Sequence, residues 1–251
     1  MMHFPKTFPV PLIHLEETDS TNKYLNELCN KQCVEELTTI TANFQTSGRG
    51  QRGNSWESEA GQNLMFSFVL YPTFLKARRQ FLLSQIISLA IKEELERYVS
   101  NISIKWPNDI YWHDKKIAGI LIENVLSGST FSRAIIGMGL NINQKNFYSD
   151  APNPVSLYQI TGRTYKIEKI LDEFTEAFGK RYTDTFTNSS DRIHKEYIAT
   201  LYRNDGVYPF YSDGNIFHAS IADVELDGHL LLSTESGEKK RFAFKEVSFL
   251  L

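Results

Sequence analysis

Ile102-Ser103-Ile104-Lys105-Trp106-Pro107-Asn108-Asp109-Ile110-Tyr111-Trp112-His113-Asp114-Lys115-Lys116-Ile117-Ala118-Gly119-Ile120-Leu121 is the stretch that decides the fold. Ile102 to Lys105 is a short β run, Trp106 to Asp109 a proline turn, Ile110 to Trp112 a second run and His113-Asp114 a tight turn. A long strand then runs from Lys115 through Leu126. Strands that follow one another through tight turns make an antiparallel meander. Strands grouped this way, with helices over one face, make an α+β domain.

The same pattern extends in both directions. Downstream, Ser127-Gly128-Ser129 turns into Phe131 to Met138, which ends at Gly139-Leu140-Asn141-Ile142-Asn143, and a Pro- and Asn-rich loop covers Asn146 to Pro154. Ile167 to Phe186 and Asp191 to Leu201 read as helices, with Ile170, Phe174, Phe178 and Tyr182 at helical intervals. Upstream, Phe74 to Val99 predicts an amphipathic helix that buries Leu82, Ile86, Leu89, Ile91 and Leu95 and turns Glu93, Glu94, Glu96 and Arg97 to solvent. Before it, Asn63 to Tyr71 alternates Leu64, Phe66, Phe68 and Leu70, Leu37 to Phe44 is β-branched, and Pro11 to Glu17 is a short strand. Asp19-Ser20-Thr21-Asn22 offers caps for a helix with Tyr24, Leu25 and Leu28 on its inner side. From Asn204-Asp205-Gly206 onward, short β patterns turn at Asp213-Gly214, Asp227-Gly228 and Ser236-Gly237. The expected division is therefore an α+β domain over 1–205 and a small barrel-like all-β unit over 206–251.

With 41% hydrophobic and 23% charged residues the chain is an ordinary soluble globular protein, and no apolar run approaches the roughly 20 residues of a membrane span. The start Met1-Met2-His3-Phe4-Pro5-Lys6 lacks the apolar core of a secretory signal, so the expected location is the cytoplasm. A net charge of −3 gives no global field for nucleic acid, so the basic residues that matter act locally. Cys29 and Cys33 are expected on one helix face as buried small hydrophobes, since no neighbouring His or Cys completes a ligand set.

Four clusters carry chemistry. Gln45-Thr46-Ser47-Gly48-Arg49-Gly50-Gln51-Arg52-Gly53-Asn54-Ser55-Trp56 joins two strands, and its glycines and arginines suit either an ordinary hairpin turn or an anion-binding loop. Lys105-Trp106-Pro107-Asn108-Asp109 and Lys115-Lys116 suit either a proline turn with a solvated lysine pair at a hairpin, or one shared sheet end where Asp109 and Lys116 would converge on a ligand. Gly119 removes bulk nearby. Gly137-Met138-Gly139-Leu140-Asn141 suits turn-making or a close nucleotide approach. Ser20-Thr21-Asn22 suits helix capping, which is compatible with ligand binding at the same helix end.

In order, Asp19-Ser20-Thr21-Asn22, Gly48-Arg49-Gly50-x-x-Gly53-x-x-Trp56, Lys105-Trp106-Pro107-Asn108-Asp109, Lys115-Lys116-x-x-Gly119-Ile120-Leu121 and Gly137-x-Gly139-x-Asn141 resemble the catalytic domain of biotin protein ligases, or biotin–[acetyl-CoA-carboxylase] ligases. The motifs cover about residues 10 to 145, and the layout covers the rest. The resemblance implies a mixed, largely antiparallel sheet with helices packed on it, like that of class II aminoacyl-tRNA synthetases, followed by a small C-terminal SH3-like β-barrel. It also implies that Ser20, Thr21, Asn22 and Gln45 bind the biotin rings and that Arg49, Gly50 and Gln51 close over biotin and its adenylate. Lys116 would contact the biotin carboxylate and α-phosphate beside Gly119. Arg52, Trp56, Lys105, Asn108 and Asn141, with Arg49, would approach ATP, and Asp109 would lie near the reacting centre. Many relatives carry a second arginine at the position of Gln51.

The implied activity attaches biotin to a specific lysine of a biotin carboxyl carrier protein, or of the carrier domain of a biotin-dependent carboxylase. It proceeds through biotinyl-5'-AMP with loss of pyrophosphate. The implied requirements are biotin, ATP and Mg²⁺, although no metal-ligand set is readable. Arg49 and Lys116 are the candidate catalytic cations, and Asp109 would orient the acceptor amine or take its proton. The rival is a lipoate or octanoate ligase of the related fold, and Gly48-Arg49-Gly50 with Lys105 to Asp109 favours biotin. Because Pro11 already begins the catalytic pattern, the expected form lacks an N-terminal helix-turn-helix domain and contacts neither nucleic acid nor membrane. Homodimerisation is left open.

Overall fold

The computed structural model describes residues 10–128, 130–149, 151–187 and 190–250. Ser129 of the expected turn and the Arg52 side chain lie outside the described part. Strand β1 (Leu12–Thr18), helix α1 (Thr21–Lys31) and strand β2 (Thr39–Gln45) open the chain, and β1 pairs with β2 in parallel across the helix. Then come β3 (Leu64–Leu70), α2 (Phe81–Glu96), β4 (Ile102–Lys105), β5 (Asp109–Trp112), β6 (Lys115–Ser127) and β7 (Thr130–Leu140). Among the described residues they build a seven-stranded sheet in the order β1-β2-β3-β7-β6-β5-β4, antiparallel except at β1–β2. The meander thus forms β4 to β7, and its last strand inserts beside β3.

Both sheet faces are covered. Leu64, Phe66, Phe68 and Leu70 of β3 face the larger core with α2 and α4 (Ile167–Thr187). Phe66 and Phe174 meet edge-on at 5.4 Å and Phe68 lies 5.0 Å from Phe178, contacts worth about 0.5–1.5 kcal/mol each beyond area burial. Helix α5 (Ser190–Ala199) joins this layer through Tyr197, edge-on to Phe81. The alternate β3 residue Val69 faces the other way, with Ile40, Ile135 and Leu25 of α1. The expectation of one covered face is therefore corrected. Helix α1 is short, but Leu25 is fully buried and seals the second face.

Further expectations change. The helix expected over Phe74 to Val99 is regular only in α2, and the seven residues before it form a looser segment in which Leu75 is buried and Ala77–Arg79 make one 3-10 turn. Cys29 is half-buried in α1, but Cys33 is exposed beyond the helix end at Lys31, so the two do not share a buried face. Helix α3 (Leu157–Thr161) was not anticipated, although a local signal exists. Ser156 and Gln159 form a reciprocal capping box, and Gly162 ends the helix at φ 71°.

Glu94 is a further correction, because it is fully buried rather than turned to solvent. The helical spacing puts it on the α4 side of α2, and burial, reinforced by the neighbouring Glu173 carboxyl, pushes its pKa from the ordinary 4.5 to about 7. Arg97 Nε, 3.4 Å from its carboxylate, offsets this only in part. A carboxyl group that holds its proton more tightly when folded destabilises the fold as pH rises from about 4.5 to about 7, and the full penalty applies above that range. Glu94→Gln should therefore raise unfolding stability at pH 8 by up to about 3 kcal/mol and leave it nearly unchanged at pH 4.5. Equal gains at both pH values in denaturant titrations would refute this.

Strands β8 (Tyr208–Ser212), β9 (Asn215–Val224), β10 (Leu230–Thr234), β11 (Lys239–Phe242) and β12 (Ser248–Phe249) form a second, antiparallel sheet in the order β11-β10-β9-β8-β12. The turn glycines Gly214, Gly228 and Gly237 all have positive φ, as their Asp-Gly and Ser-Gly pairs require. Gly228 has a second duty: Trp106 Nε1 donates to its carbonyl at 2.9 Å, and an added Cβ would meet Phe81 at 2.7 Å. His194 bridges Gln85 of α2 and Asp223 of β9 at 3.0 and 2.8 Å. These ties seat the second sheet beside the Trp106-Pro107 turn, whose peptide bond is cis. No helix among the described residues is long and apolar enough to cross a membrane.

Candidate functional site

A cleft of about 550 Å³ opens where the N-terminal end of α1, the Gly/Arg loop, the Trp106–Asp109 turn and the glycines of β6 and β7 meet. Ser20, Thr21, Asn22, Gln45, Arg49, Gly50, Gln51, Trp56, Lys105, Asn108, Asp109, Lys116 and Gly119 all line it. Of the remaining expected site residues, Asn141 lies outside the lining. It is buried just past the end of β7, and its Nδ2 donates to Val155 O at 3.2 Å.

The closed end is rich in acceptors. Ser20 occupies the N-cap position of α1 in extended conformation, yet its side chain makes no cap bond. Gln45 Oε1 takes that role, accepting from Thr21 N at 2.7 Å and Thr21 Oγ1 at 3.1 Å. Ser67 has a single hydroxyl proton but two acceptors within reach, Thr21 Oγ1 at 2.7 Å and Asn22 Oδ1 at 2.6 Å. The network therefore has more acceptors than protons, and it suits a ligand that brings N–H donors. Capping and ligand binding thus share one helix end.

The floor is smooth because it lacks side chains. Gly119 pairs with Gly139, and Leu121 with Gly137, across β6 and β7. A Cβ on Gly137 would overlap the Asn22 amide, and one on Gly139 would overlap the Trp56 indole. A Cβ on Gly119 would lie 3.1 Å from Trp56 and 3.3 Å from Lys116 Nζ. The glycines serve close approach, the alternative to turn-making that the sequence left open.

The Gly/Arg loop folds back as a hairpin. Trp56 N donates to Gly48 O at 2.9 Å and Gly50 N to Asn54 O at 2.7 Å, and Arg49 bridges to Ser55. Of its glycines, only Gly53 uses positive φ, at 88°. Gly48 is needed for space, since a Cβ there would lie 2.6 Å from Trp56 O. The Arg49 guanidinium pairs with Glu123 of β6.

Two lysines face the opposite end. Lys116 Nζ lies 2.6 Å from Asp109 Oδ1 and 5.6 Å from the Trp56 ring. Its backbone is fixed on both sides, accepting from Val155 N and donating to Asn153 O, each at 2.9 Å. Lys105 Nζ donates to Tyr111 OH at 2.9 Å and sits 5.5 Å from the Phe249 ring. Burial lowers the Lys105 pKa, and the nearby Asp109 charge counteracts part of that effect. Asn108 clamps the turn to β6, donating from Nδ2 to Ile120 O at 2.6 Å.

Sequence reasoning missed Ser67, Glu123 and the segment Phe244–Leu250. Ser67 is the one polar residue of β3, and Glu123 interrupts an apolar run in β6, so each left a faint local signal. Nothing local announces that Lys245, Ser248 and Phe249 reach a cleft built by residues far upstream.

The donor set also bears on metals. Asp109 is the one carboxylate among the described lining residues, and it is committed to Lys116. The cleft therefore fits an ion carried in on a phosphate chain and still largely hydrated, rather than a protein cage. Elsewhere Glu225, Asp227 and His229 converge, but Arg241 already sits among them, 2.5 Å from Glu225 and 2.8 Å from Asp227. Trp56 Nε1 and Asn141 Oδ1 are buried without a hydrogen-bond partner among the described residues.

The sequence profile described as the Biotin/lipoate A/B protein ligase family matches residues 15–141. A biotin–[acetyl-CoA-carboxylase] ligase of Paracoccus denitrificans is 30% identical over 75% of this chain and 80% of its own length. The bifunctional ligase/repressor BirA of Bacillus subtilis is 29% identical over 92% of this chain and 72% of its own. The biotin protein ligase of Aquifex aeolicus, solved in complex with biotin and ATP, superposes with a TM-score of 0.78 at 28% identity, covering 95% of this chain and 97% of that one.

Proposed function

The chain belongs to the Biotin/lipoate A/B protein ligase family, and from that premise we infer that it attaches biotin to the carrier protein of a biotin-dependent carboxylase at the expense of ATP. The observation that carries this inference is one cleft with an acceptor-rich closed end at one side, Lys105 and Lys116 at the other, and Arg49 held at its edge by Glu123. A bicyclic urea brings the N–H donors that the closed end lacks. The lipoyl dithiolane ring brings none, so the lipoate alternative is disfavoured.

In the first step a biotin carboxylate oxygen attacks the α-phosphorus of ATP. The new O–P bond forms as the bond to the departing pyrophosphate breaks. Negative charge gathers at the α-phosphate, where Lys116 and Arg49 stabilise it more in the transition state than in the ground state. Mg²⁺ entering with the triphosphate supplies neutralising charge. In the second step the carrier lysine nitrogen attacks the acyl carbon, and AMP leaves with the electron pair of the C–O bond. The amine must shed a proton, and Asp109 is positioned at the cleft to orient it or accept that proton. Trp56, lying over Gly119 and Gly139, and the hairpin of residues 48–56 exclude water from the mixed anhydride.

Residues 1–205 form the catalytic part in this scheme and 206–251 a β unit that contributes Phe244–Leu250 to the cleft rim. The cytoplasm is the assigned location. The decisive test supplies ATP, Mg²⁺, a biotin-accepting carrier domain and either biotin or lipoate, and reads the carrier's intact mass. A biotin-sized increment on one lysine is expected, and a lipoyl increment alone would overturn the assignment.

Gln51 lines the cleft where many relatives carry a second arginine. Gln51→Arg is expected to slow escape of free biotinyl-adenylate several-fold by adding a charge-assisted contact. An unchanged release rate in a carrier-free assay would reject that role.

A further inference from the structure

Glu123 is a carboxylate that the scheme above does not use. It lies on the same face of β6 as Gly119 and Leu121, which line the cleft, and one step further along the strand. On its own face of the strand Leu121 precedes it and Val125 follows it, both apolar, so an acid here is no product of that face's pattern.

Its two oxygens are divided between two elements. Oε2 accepts from Asn22 Nδ2 at 2.8 Å, and Oε1 accepts from Arg49 Nη2. Asn22 is almost fully buried, and its Oδ1 accepts from Ser67 Oγ at 2.6 Å. With its amide nitrogen committed to Glu123, Asn22 can only turn its oxygen towards Ser67 and the closed end. Glu123 is the closer of two acceptors for that nitrogen, with Leu121 O at 3.4 Å, and its charge is therefore the main influence that fixes which way the buried amide points. The same charge holds the guanidinium of the hairpin loop against β6. A neutral amide in place of Glu123 keeps the shape but has one acceptor oxygen where two donors need one each.

We propose that Glu123 is a positioning residue for adenylation: through one carboxylate it orients Asn22 towards the biotin rings and anchors Arg49 over the cleft. Occupancy of the ring pocket and placement of the loop cation are then linked events. The assignment rests on the function inferred above, because biotin is the ligand that Asn22 would face.

The test is biotin-dependent ATP–pyrophosphate exchange, with release of free biotinyl-adenylate measured in parallel, on wild type, Glu123→Gln, Arg49→Ala and the double variant. Glu123→Gln should raise the biotin KM about tenfold, the size of one charged hydrogen bond, and should speed adenylate release. The ATP KM should stay within about twofold, a split that a general loss of structure would not produce. In the Arg49→Ala background, Glu123→Gln should still raise the biotin KM but add little to release, because the anchored group is gone. An unchanged biotin KM, or release effects that multiply fully in the double variant, would overturn the proposal. Wild-type protein that exchanges with lipoate but not biotin would overturn the functional inference itself, whereas active wild type with independent variants would remove only the role of Glu123.

Discussion

Lys116→Ala should lower biotin-dependent ATP–pyrophosphate exchange by about two to three orders of magnitude, the usual cost of removing one preorganised charge from a developing anion. Only the side chain is free to act, because the Lys116 backbone is hydrogen-bonded on both sides to the 153–155 segment. The ammonium is held by Asp109 at 2.6 Å and sits 5.6 Å from the Trp56 ring. Arginine should not restore activity. Lys116 Nζ already lies 3.3 Å from the space that a Cβ on Gly119 would fill, so a planar fork would collide with the glycine floor or displace Trp56. Exchange in Lys116→Ala within threefold of wild type would remove Lys116 from the adenylation step.

Asp109→Asn should separate the two half-reactions. In the free protein Asp109 fixes Lys116, so losing its charge should cost about tenfold in exchange. Transfer from preformed biotinyl-adenylate to the carrier should fall further, by about a hundredfold, because the incoming amine loses the group that orients it or takes its proton. The position is rigid: Asp109 pairs with Lys105 on β4 and with Gly119 on β6, so the substitution should leave the backbone in place. Single-turnover transfer kinetics provide the measurement. Transfer that falls no more than exchange would leave Asp109 as a counter-ion to Lys116 and nothing else.

Much of the site was legible because it is written in short segments. The Trp106–Asp109 turn, Lys116 and Gly119 fall within one meander, whose tight turns dictate local pairing and bring the three together without further information. The loop from Gly48 to Trp56 was legible for the same reason: two strand patterns flank it, and its glycines mark the hairpin. Glu94 was misjudged because its neighbours Glu93 and Glu96 do face solvent. The packing of α4 against α2 that buries it involves residues some eighty positions later. Cys33 was misjudged because the helix ends at Lys31, two residues before it.

The strands, most of the helices and the chemical identity of the cations and glycines follow from local pattern, since hydrophobic period, turn residues and side-chain type are local properties. Tertiary structure alone decided that β7 inserts beside β3, which sets Gly137 opposite Ser67 and brings both to Asn22. It likewise decided that Glu123 joins Asn22 to Arg49, and that Phe244–Leu250 reaches the cleft. These contacts join residues up to about two hundred positions apart, and they depend on which strand edges pair and which faces pack. No local pattern in the chain encodes that choice, because it is made by burying the β3 and β7 side chains between α1 on one side and α2 and α4 on the other.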